Sequence, residues 1–194
     1  YGVRNIKILD ELFIIKHPRI EEFCAKLEER KYDLNLWCFA RVDSVTPEIL
    51  ERLKGVGMNW VAYGIESVDR AVLTSTAKRY SQNLVTDVMK WSRDAGIAIC
   101  ADAIFGLWDD SFDTMEATRD FLFESYFEWV NIYPAYAYPG TPLYDEYIQK
   151  GYIEEPKSWE SYSLYGYEGS ALPTNFLKSE QVLKFRDDVF NEYF

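Results

Sequence analysis

Short apolar segments alternate with amphipathic helical segments along most of this sequence, at intervals of roughly 30 residues, the size of a βαβ unit. Strand candidates lie at 6–9, 34–40, 60–65, 97–105 and 129–133, and helix candidates at 18–29, 46–54, 81–95 and 110–125. Such alternation predicts a parallel sheet with right-handed crossovers. The strands are apolar almost throughout, as expected when helices cover the sheet. The pattern fits a partial (β/α) barrel or an open doubly wound sheet, and it does not choose between them.

The pattern changes after Gly140. Residues 142–150 read as a short helix, and 152–175 are rich in Tyr, Ser, Gly and Pro without a clear period. Ser179 then begins a last helix. The aromatic content is too high for a solvated tether. We therefore predict an α/β fold with the partial barrel at 1–140 and a C-terminal extension at 141–194 packed on it, as a single domain overall.

The charge and cysteine content narrow the possible partners. The formal net charge of -11 argues against nucleic acid and against an anionic membrane surface. No apolar run approaches the roughly 20 residues of a membrane span, and the start is not a signal peptide. The spacing of Cys24, Cys38 and Cys100 fits neither a CxxC pair nor a disulfide framework, so we expect a cytoplasmic location. The expected partner is a small-molecule substrate of unknown identity. The chain begins with Tyr1, which suggests that it starts inside a longer protein.

Polar or turn-forming residues follow every predicted strand. In parallel α/β folds ligands bind at the carboxyl ends of the strands, so these residues are the site candidates. A single Asp or Ser there is usually a helix cap, but five such ends in succession indicate a binding rim. One Arg among several carboxylates suits a zwitterionic ligand. The candidates are Asp10 and Glu11; Arg41 and Asp43; Glu66 and Ser67; Gly106, Asp109 and Asp110; and Tyr136 and Tyr138.

Five segments resemble, in order, motifs of the radical S-adenosylmethionine (SAM) enzyme superfamily. Residues 10–13 (DELF) resemble its acidic DDxF segment, and 37–43 (WCFARVD) with 63–67 (YGIES) resemble its third and fourth strands. Residues 104–109 (IFGLWD) resemble its GxIxGxxE motif, and 138–144 (YPGTPLY) its YPGTxLY segment. The resemblance is strongest to the group that often carries an upstream cobalamin-binding domain. It implies a TIM-like barrel that lacks its first βα unit.

The resemblance also implies roles for the rim. Asp10 and Glu11 would lie near the methionine amino group of SAM, and Arg41 would face its carboxylate. Glu66 and Ser67 would reach the ribose or the methionine, Ile104 and Gly106 would contact adenine, and Asp109 would be the motif's acid. The parent enzyme would cleave SAM reductively at a four-iron four-sulfur cluster and abstract hydrogen from an unknown substrate. Cobalamin is a possible further cofactor of the parent.

Two departures from the family pattern matter. The cluster-binding CxxxCxxC loop does not occur in the sequence, and the three cysteines are predicted to be core residues, so this chain alone is expected to hold no metal and to be inactive. The first Gly of GxIxGxxE is Asp102, which shares strand parity with Ile104 and needs a partner if buried. We interpret Asp102 either as a structural carboxylate or as a substrate contact. Tyr136 and Tyr138 are further candidates for the substrate pocket.

Two alternatives stay open at this point. The chain could belong to a magnesium-dependent α/β-barrel enzyme with Asp10, Glu66 and Asp109 as ligands. It could also be a non-catalytic fragment that associates with itself through an open sheet edge, which is compatible with the first interpretation.

Overall fold

A computed structural model describes residues 2–76, 78, 80–156, 158–164 and 169–194. Its centre is a five-stranded parallel sheet with the strands in sequence order. The strands are β1 (Asn5–Lys7), β2 (Asn35–Ala40), β3 (Met58–Glu66), β4 (Ala98–Phe105) and β5 (Trp129–Pro134). The sequential order resolves the choice left open by the sequence pattern. A doubly wound sheet reverses its strand order at a switch point, whereas successive neighbours are the arrangement of a (β/α) barrel.

The helices connect these strands as the alternation predicts. They are α1 (His17–Arg30), α2 (Pro47–Lys54), α3 (Arg70–Ser75), α4 (Gln82–Asp94), α5 (Phe112–Ser125), α6 (Pro142–Gln149) and α7 (Ser179–Tyr193). Thr46, Ser81 and Thr141 each accept a hydrogen bond from the backbone three residues on, which caps α2, α4 and α6. Helix α3 was not predicted. It begins after Asp69, whose carboxylate accepts from the N–H groups of Ala71 and Val72.

An asparagine chain crosses the first three strands. The side-chain amide of Asn35 donates to Oδ1 of Asn5 at 2.8 Å, and that of Asn59 donates to Oδ1 of Asn35 at 2.9 Å. Lys54 donates to Oδ1 of Asn59 at 2.7 Å. Leu36 pairs with Met58 and Trp37 with Trp60, so Asn59 is the extra residue of a β-bulge. A bulge re-aims a side chain, and here it brings Asn59 to Asn35.

Gly57 lies where β3 begins and passes very close to the backbone of Leu34. Its φ of +97° lies in the region that favours glycine, and a Cβ built on it would sit 2.1 Å from the carbonyl oxygen of Leu34. The same glycine accepts a backbone hydrogen bond from Leu36 at 2.8 Å. Only glycine fits this approach of β3 to β2.

The chain divides into two compact units. The first unit comprises Tyr1–Ile65, Tyr80–Asp102 and Tyr126–Asn131, and the second comprises Glu66–Arg79, Ala103–Ser125 and Ile132–Phe194. In the first unit, apolar side chains of α1, α2 and β2 are buried, among them Ile20, Leu50 and Leu36. In the second unit, Ala135, Ala137, Tyr147 and Leu172 form a buried cluster.

Two features bear on the predicted organisation. The boundary at residue 140 stays a prediction. Association through the sheet edge also stays a prediction; all three residues of the short edge strand β1 are exposed. In the described part of the chain, no helix has both the length and the apolar character needed to cross a membrane.

Candidate functional site

In the first unit, Asp10 is held by neighbours of its own segment. Its carboxylate accepts from the backbone N–H of Leu12 at 3.1 Å and from Arg19 at 2.8 Å. The hydrogen bond from Arg19 is the largest cause of a lowered pKa of the Asp10 carboxyl. Glu11 is exposed. Asp10 therefore fixes the turn after β1 and stays ionised.

Arg41 follows β2 and forms a fork with Asp43. Its Nε and one terminal nitrogen donate to the two carboxylate oxygens of Asp43 at 2.8 and 2.7 Å. These hydrogen bonds raise the pKa of the guanidinium. A bidentate pair of this kind holds the guanidinium plane in one orientation. A ligand carboxylate at Arg41 would have to use its remaining donors or displace Asp43.

Asp102 is half-buried, and its carboxylate accepts a hydrogen bond from a side chain of β5. Asn131 donates its side-chain amide to Oδ1 of Asp102 at 2.7 Å and in turn accepts from the indole N–H of Trp129 at 3.0 Å. Cys100 lies beside this pair, with its sulfur 3.3 Å from the Asn131 amide nitrogen. Asp102 therefore has a side-chain partner in Asn131, an amide 29 residues further along the chain, and its role as a structural carboxylate or as a substrate contact stays a prediction.

The three thiols do not fit an iron–sulfur cluster. Cys24, Cys38 and Cys100 are buried, as predicted, and carry no disulfide. Burial raises the pKa of Cys24 to about 11 and that of Cys38 to about 12. Burial and the nearby Asp102 carboxylate raise the pKa of Cys100. Since the thiolate is the form that binds iron, these residues are unsuited to ligation.

Anaerobic treatment of this chain with iron and sulfide should therefore give no stoichiometric four-iron chromophore. Iron content and visible absorption after desalting measure this outcome. As a control, an aromatic disulfide reagent should label the thiols only after unfolding in guanidinium, because burial blocks them in the native state. Four irons per native chain would contradict the assignment of the cysteines to the core.

The magnesium alternative gains no support from the geometry. Among residues 2–76, 78, 80–156, 158–164 and 169–194, no group of three or more His, Cys, Asp or Glu side chains could hold a metal ion. Of the proposed ligands, Asp10 is paired with Arg19 and Glu66 with Lys78. Asp109 is half-buried.

In the second unit, Glu66 ends β3 in an unusual backbone conformation. Its φ is +60°, a left-handed value that is uncommon for residues other than glycine. Its carboxylate forms an ion pair with Lys78, and both side chains are less than a fifth exposed. Strain of this kind often marks functional positions. The partner Lys78 was not foreseen, because nothing in the local pattern links positions 12 apart.

Ser67 is buried and its hydroxyl has partners within the protein. It lies 3.2 Å from the hydroxyl of Thr118 and accepts from the N–H of Asp69 at 3.1 Å. Thr118 also accepts from the N–H of Val68 at 3.2 Å. Ser67 thus fixes the turn between β3 and α3, and its predicted contact with the SAM ribose or methionine stays a prediction.

Asp110 organises the turn after β4. One carboxylate oxygen accepts from the N–H groups of Gly106 and Leu107, both at 3.0 Å, and the other accepts from Thr114 at 2.8 Å. Burial raises the pKa of this carboxyl to about 6 against the effect of these three donors. Asp109, the acid predicted from the motif, makes none of these bonds. The sequence placed both acids on the rim, but only the structure shows that the neighbouring Asp110 holds the turn.

This turn borders a cavity within the second unit. Its volume is about 380 Å³, within the range of roughly 300–1,000 Å³ typical of small-molecule sites. Among the described residues, no lining side chain carries a formal charge at neutral pH. The walls come from the ends of β4 and β5, from later segments of the chain and from the residue that directly follows α3. The lining residues are Thr76, Ile104, Gly106, Leu107, Trp108, Tyr133, Pro134, Ala135, Tyr136, Tyr138, Leu143, Tyr147, Leu164 and Leu172.

Four of the predicted residues therefore meet in one place. Ile104, Gly106, Tyr136 and Tyr138 all line the cavity. The N–H of Gly106 donates to Asp110 and is therefore not available to a ligand. The cavity thus offers aromatic and aliphatic surface with a few hydroxyl and backbone polar groups. That chemistry suits a flat, uncharged group.

A parallel α/β sheet with sequential strands and a cavity at the carboxyl ends of two of them defines a (β/α)-barrel ligand site. Residues 10–122, more than half of the chain, match the radical SAM superfamily. The chain belongs to this superfamily. The predicted fold class, a partial parallel (β/α) barrel of the radical SAM type, is confirmed.

Individual relatives agree with this assignment. An uncharacterized methyltransferase of Pyrococcus horikoshii is 22% identical over the whole of this chain, which covers 41% of that protein. The bacteriochlorophyllide d C-8(2)-methyltransferase of Chlorobaculum tepidum is 28% identical over 80% of this chain, which covers 35% of that protein. The chain thus spans less than half the length of these relatives.

A solved structure shows the same fold. The radical S-adenosylmethionine methyltransferase TsrM from Kitasatospora setae, with cobalamin and a 4Fe-4S cluster bound, superposes with a TM-score of 0.69 at 16% sequence identity. The match covers 80% of this chain and 32% of that one. At this identity the likeness establishes the fold.

Proposed function

We propose that this chain forms the SAM-binding and substrate-facing part of the barrel in a radical SAM enzyme that methylates a small molecule. Membership of the superfamily supports the use of SAM, and the names of the two relatives support methyl transfer. The observation that carries the proposal is the uncharged cavity lined by Ile104 and Gly106, the two residues that the resemblance assigns to adenine.

The residues of the cavity suit the adenosine part of SAM. Adenine is flat and neutral at physiological pH, so it needs ring faces and apolar contact more than charge. Ile104 supplies an aliphatic wall, and Trp108 and Tyr133 supply rings. Asp110 keeps the turn at Gly106 in place. Bound SAM would supply a methyl group or, after reductive cleavage, a radical that abstracts hydrogen from the substrate.

The remaining rim residues are proposed contacts that rest on the resemblance. They are Asp10, Glu11, Arg41, Glu66, Ser67 and Asp109. A cluster would need thiolates other than those of Cys24, Cys38 and Cys100, so we assign no step at a cluster to this chain. Cobalamin, which the TsrM structure contains, is a proposed cofactor of the whole enzyme, and no residue of this chain is assigned to it.

Calorimetric titration with S-adenosylhomocysteine tests the proposal. The unaltered chain should bind one equivalent, and Ile104→Arg should weaken binding by at least about tenfold, since an unpaired guanidinium in an apolar cavity is costly. Ile104→Ala is the milder companion variant and should weaken binding less. Ile15→Arg is the matched control, because Ile15 is 53% exposed and lies in the first unit.

The absence of binding at millimolar ligand would contradict the proposal. Equal affinity for S-adenosylhomocysteine in the unaltered chain and in both Ile104 variants would also contradict it. Circular dichroism of each variant shows whether it has folded, and Ile104→Ala keeps the test decisive if Ile104→Arg has not.

A further inference from the structure

Several large aromatic side chains in the second unit are exposed, and two of them, Tyr138 and Trp159, have rings near the cavity or in contact with rings that line it. Tyr138 is 43% exposed and Trp159 is 78% exposed. Buried aromatic residues remove about 150–250 Å² from water, so leaving such rings in solvent forgoes a large gain. Exposed apolar surface that adjoins a cavity is a common sign of a binding site.

The two rings belong to a continuous row of four, which we call the aromatic row: Tyr136, Tyr138, Tyr162 and Trp159. The rings of Tyr138 and Tyr162 are stacked, with centroids 5.6 Å apart and planes 29° apart. The ring centroids of Tyr136 and Tyr138 lie 6.2 Å apart, and those of Trp159 and Tyr162 lie 5.7 Å apart. The row therefore offers several ring faces in succession.

Local backbone structure explains how the row forms. Residues Trp159–Tyr162 form a 3-10 turn, in which side chains three apart lie one above the other. Tyr136 and Tyr138 are two residues apart in the segment after β5, and their ring centroids lie 6.2 Å apart. The stack thus follows from two short segments, 20 residues apart, that meet through Tyr138 and Tyr162.

The row is also fixed in place. The hydroxyl of Tyr136 donates to the carbonyl oxygen of Ser163 at 3.0 Å, and the N–H of Ser170 donates to the carbonyl oxygen of Ser161 at 2.8 Å. Gly169 packs so closely that a Cβ would lie 1.9 Å from the Tyr136 hydroxyl. A surface held this firmly loses little entropy when a ligand binds.

The row continues directly from the cavity, because Tyr136 and Tyr138 line both. We propose that the aromatic row binds the substrate of this enzyme by stacking, and that the substrate is an uncharged planar ring system. This rests on the proposed function, in which the cavity itself holds adenosine. The substrate ring would then lie next to the adenosine at the cavity mouth.

Acidic side chains near the row disfavour an anionic substrate. Glu160 lies within the turn that carries Trp159 and Tyr162. Burial is the largest cause of the raised pKa of Tyr162, and Tyr144 and the carboxylate of Glu155 add to it. The chain as a whole carries a net charge of -11. An anionic ring would meet repulsion here, whereas a neutral ring would gain stacking without an electrostatic cost.

Nile red, an uncharged planar dye whose fluorescence rises in apolar surroundings, is the probe. It should bind the unaltered chain at one site, and Tyr138→Ala and Trp159→Ala should each weaken binding by about tenfold, the order expected for loss of one stacking partner. Tyr32→Ala is the matched control, since Tyr32 is 58% exposed in the first unit. Trp159 is on the surface, so its loss leaves the fold intact.

A second titration with saturating S-adenosylhomocysteine separates this inference from the proposed function. Simultaneous binding of dye and nucleoside supports the row as a separate subsite. Mutual exclusion, or dye binding that is unchanged in both row variants, overturns the inference and leaves the nucleoside site standing. Dye binding that depends on the row while no nucleoside binds supports the row and overturns the proposed function alone.

Discussion

Gly57→Ala should lower the free energy of unfolding by about 4 kcal/mol, the sum of a left-handed backbone penalty for alanine and the cost of overpacking. The added Cβ would lie 2.1 Å from the carbonyl oxygen of Leu34, and because that atom belongs to the backbone it cannot rotate away. The strand pairing of Leu36 with Gly57 would have to shift. Urea unfolding followed by circular dichroism measures the change.

Gly55→Ala provides a control two residues away. Gly55 has helical dihedral angles, and its Cβ would make only an ordinary contact of 3.4 Å with the carbonyl oxygen of Arg52. Alanine is the better helix former, so this variant should be stabilised by about 0.5 kcal/mol or unchanged. Equal effects of the two substitutions would show that β3 does not approach Leu34 as described.

Asp110→Ala should have the second largest effect and lower the free energy of unfolding by about 3 kcal/mol, because buried donors that lose their acceptor are costly. The substitution leaves the backbone N–H groups of Gly106 and Leu107 without their acceptor, while the hydroxyl of Thr114 keeps the carbonyl oxygen of Ser111 as a second acceptor. Because Gly106 and Leu107 line the cavity, binding of S-adenosylhomocysteine should weaken along with stability.

Asp109→Ala is the matched comparison, since it removes the adjacent carboxylate. Asp109 is half-buried and holds none of the three donors, so its loss should cost less than about 1 kcal/mol. The resemblance gives the motif's acidic position to Asp109. If Asp109→Ala abolishes ligand binding while stability is unchanged, Asp109 contacts the ligand and Asp110 supports the turn. If Asp109→Ala is the more destabilising variant, the assignment of the turn to Asp110 is wrong.

Much of the fold could be predicted because hydrophobic periodicity and capping residues are local signals. Thr46, Ser81 and Thr141 mark helix starts by their own side chains, and the five apolar segments became the five strands within about three residues at each end. The strand order was beyond this reasoning. It depends on which strands meet across the sheet, and a segment of apolar residues does not encode its neighbour.

The candidate site was predictable in part for the same reason. Ile104 lies at the end of β4, Gly106 follows it, and Tyr136 and Tyr138 follow β5. The parallel topology brings these strand ends to one cavity. The contributions of Lys78 and Trp159 were missed, and the sequence named Asp110 without showing that it holds the turn after β4. Lys78 reaches Glu66 from 12 residues away, and Trp159 lies in a stretch without a period. Such pairings arise from tertiary structure, so sequence spacing does not reveal them.

The asparagine chain across β1, β2 and β3 couples the orientations of three side-chain amides. Asn35 and Asn59 each accept through the amide oxygen and donate through the amide nitrogen, and Asn5 accepts through its oxygen. Lys54, which can only donate, faces the oxygen of Asn59. Rotating one amide would bring oxygen against oxygen or nitrogen against nitrogen, so all three must turn together or none. The positive charge of Lys54 at one end of the chain therefore favours one amide orientation as far as Asn5 in the edge strand β1, two strands away from Asn59.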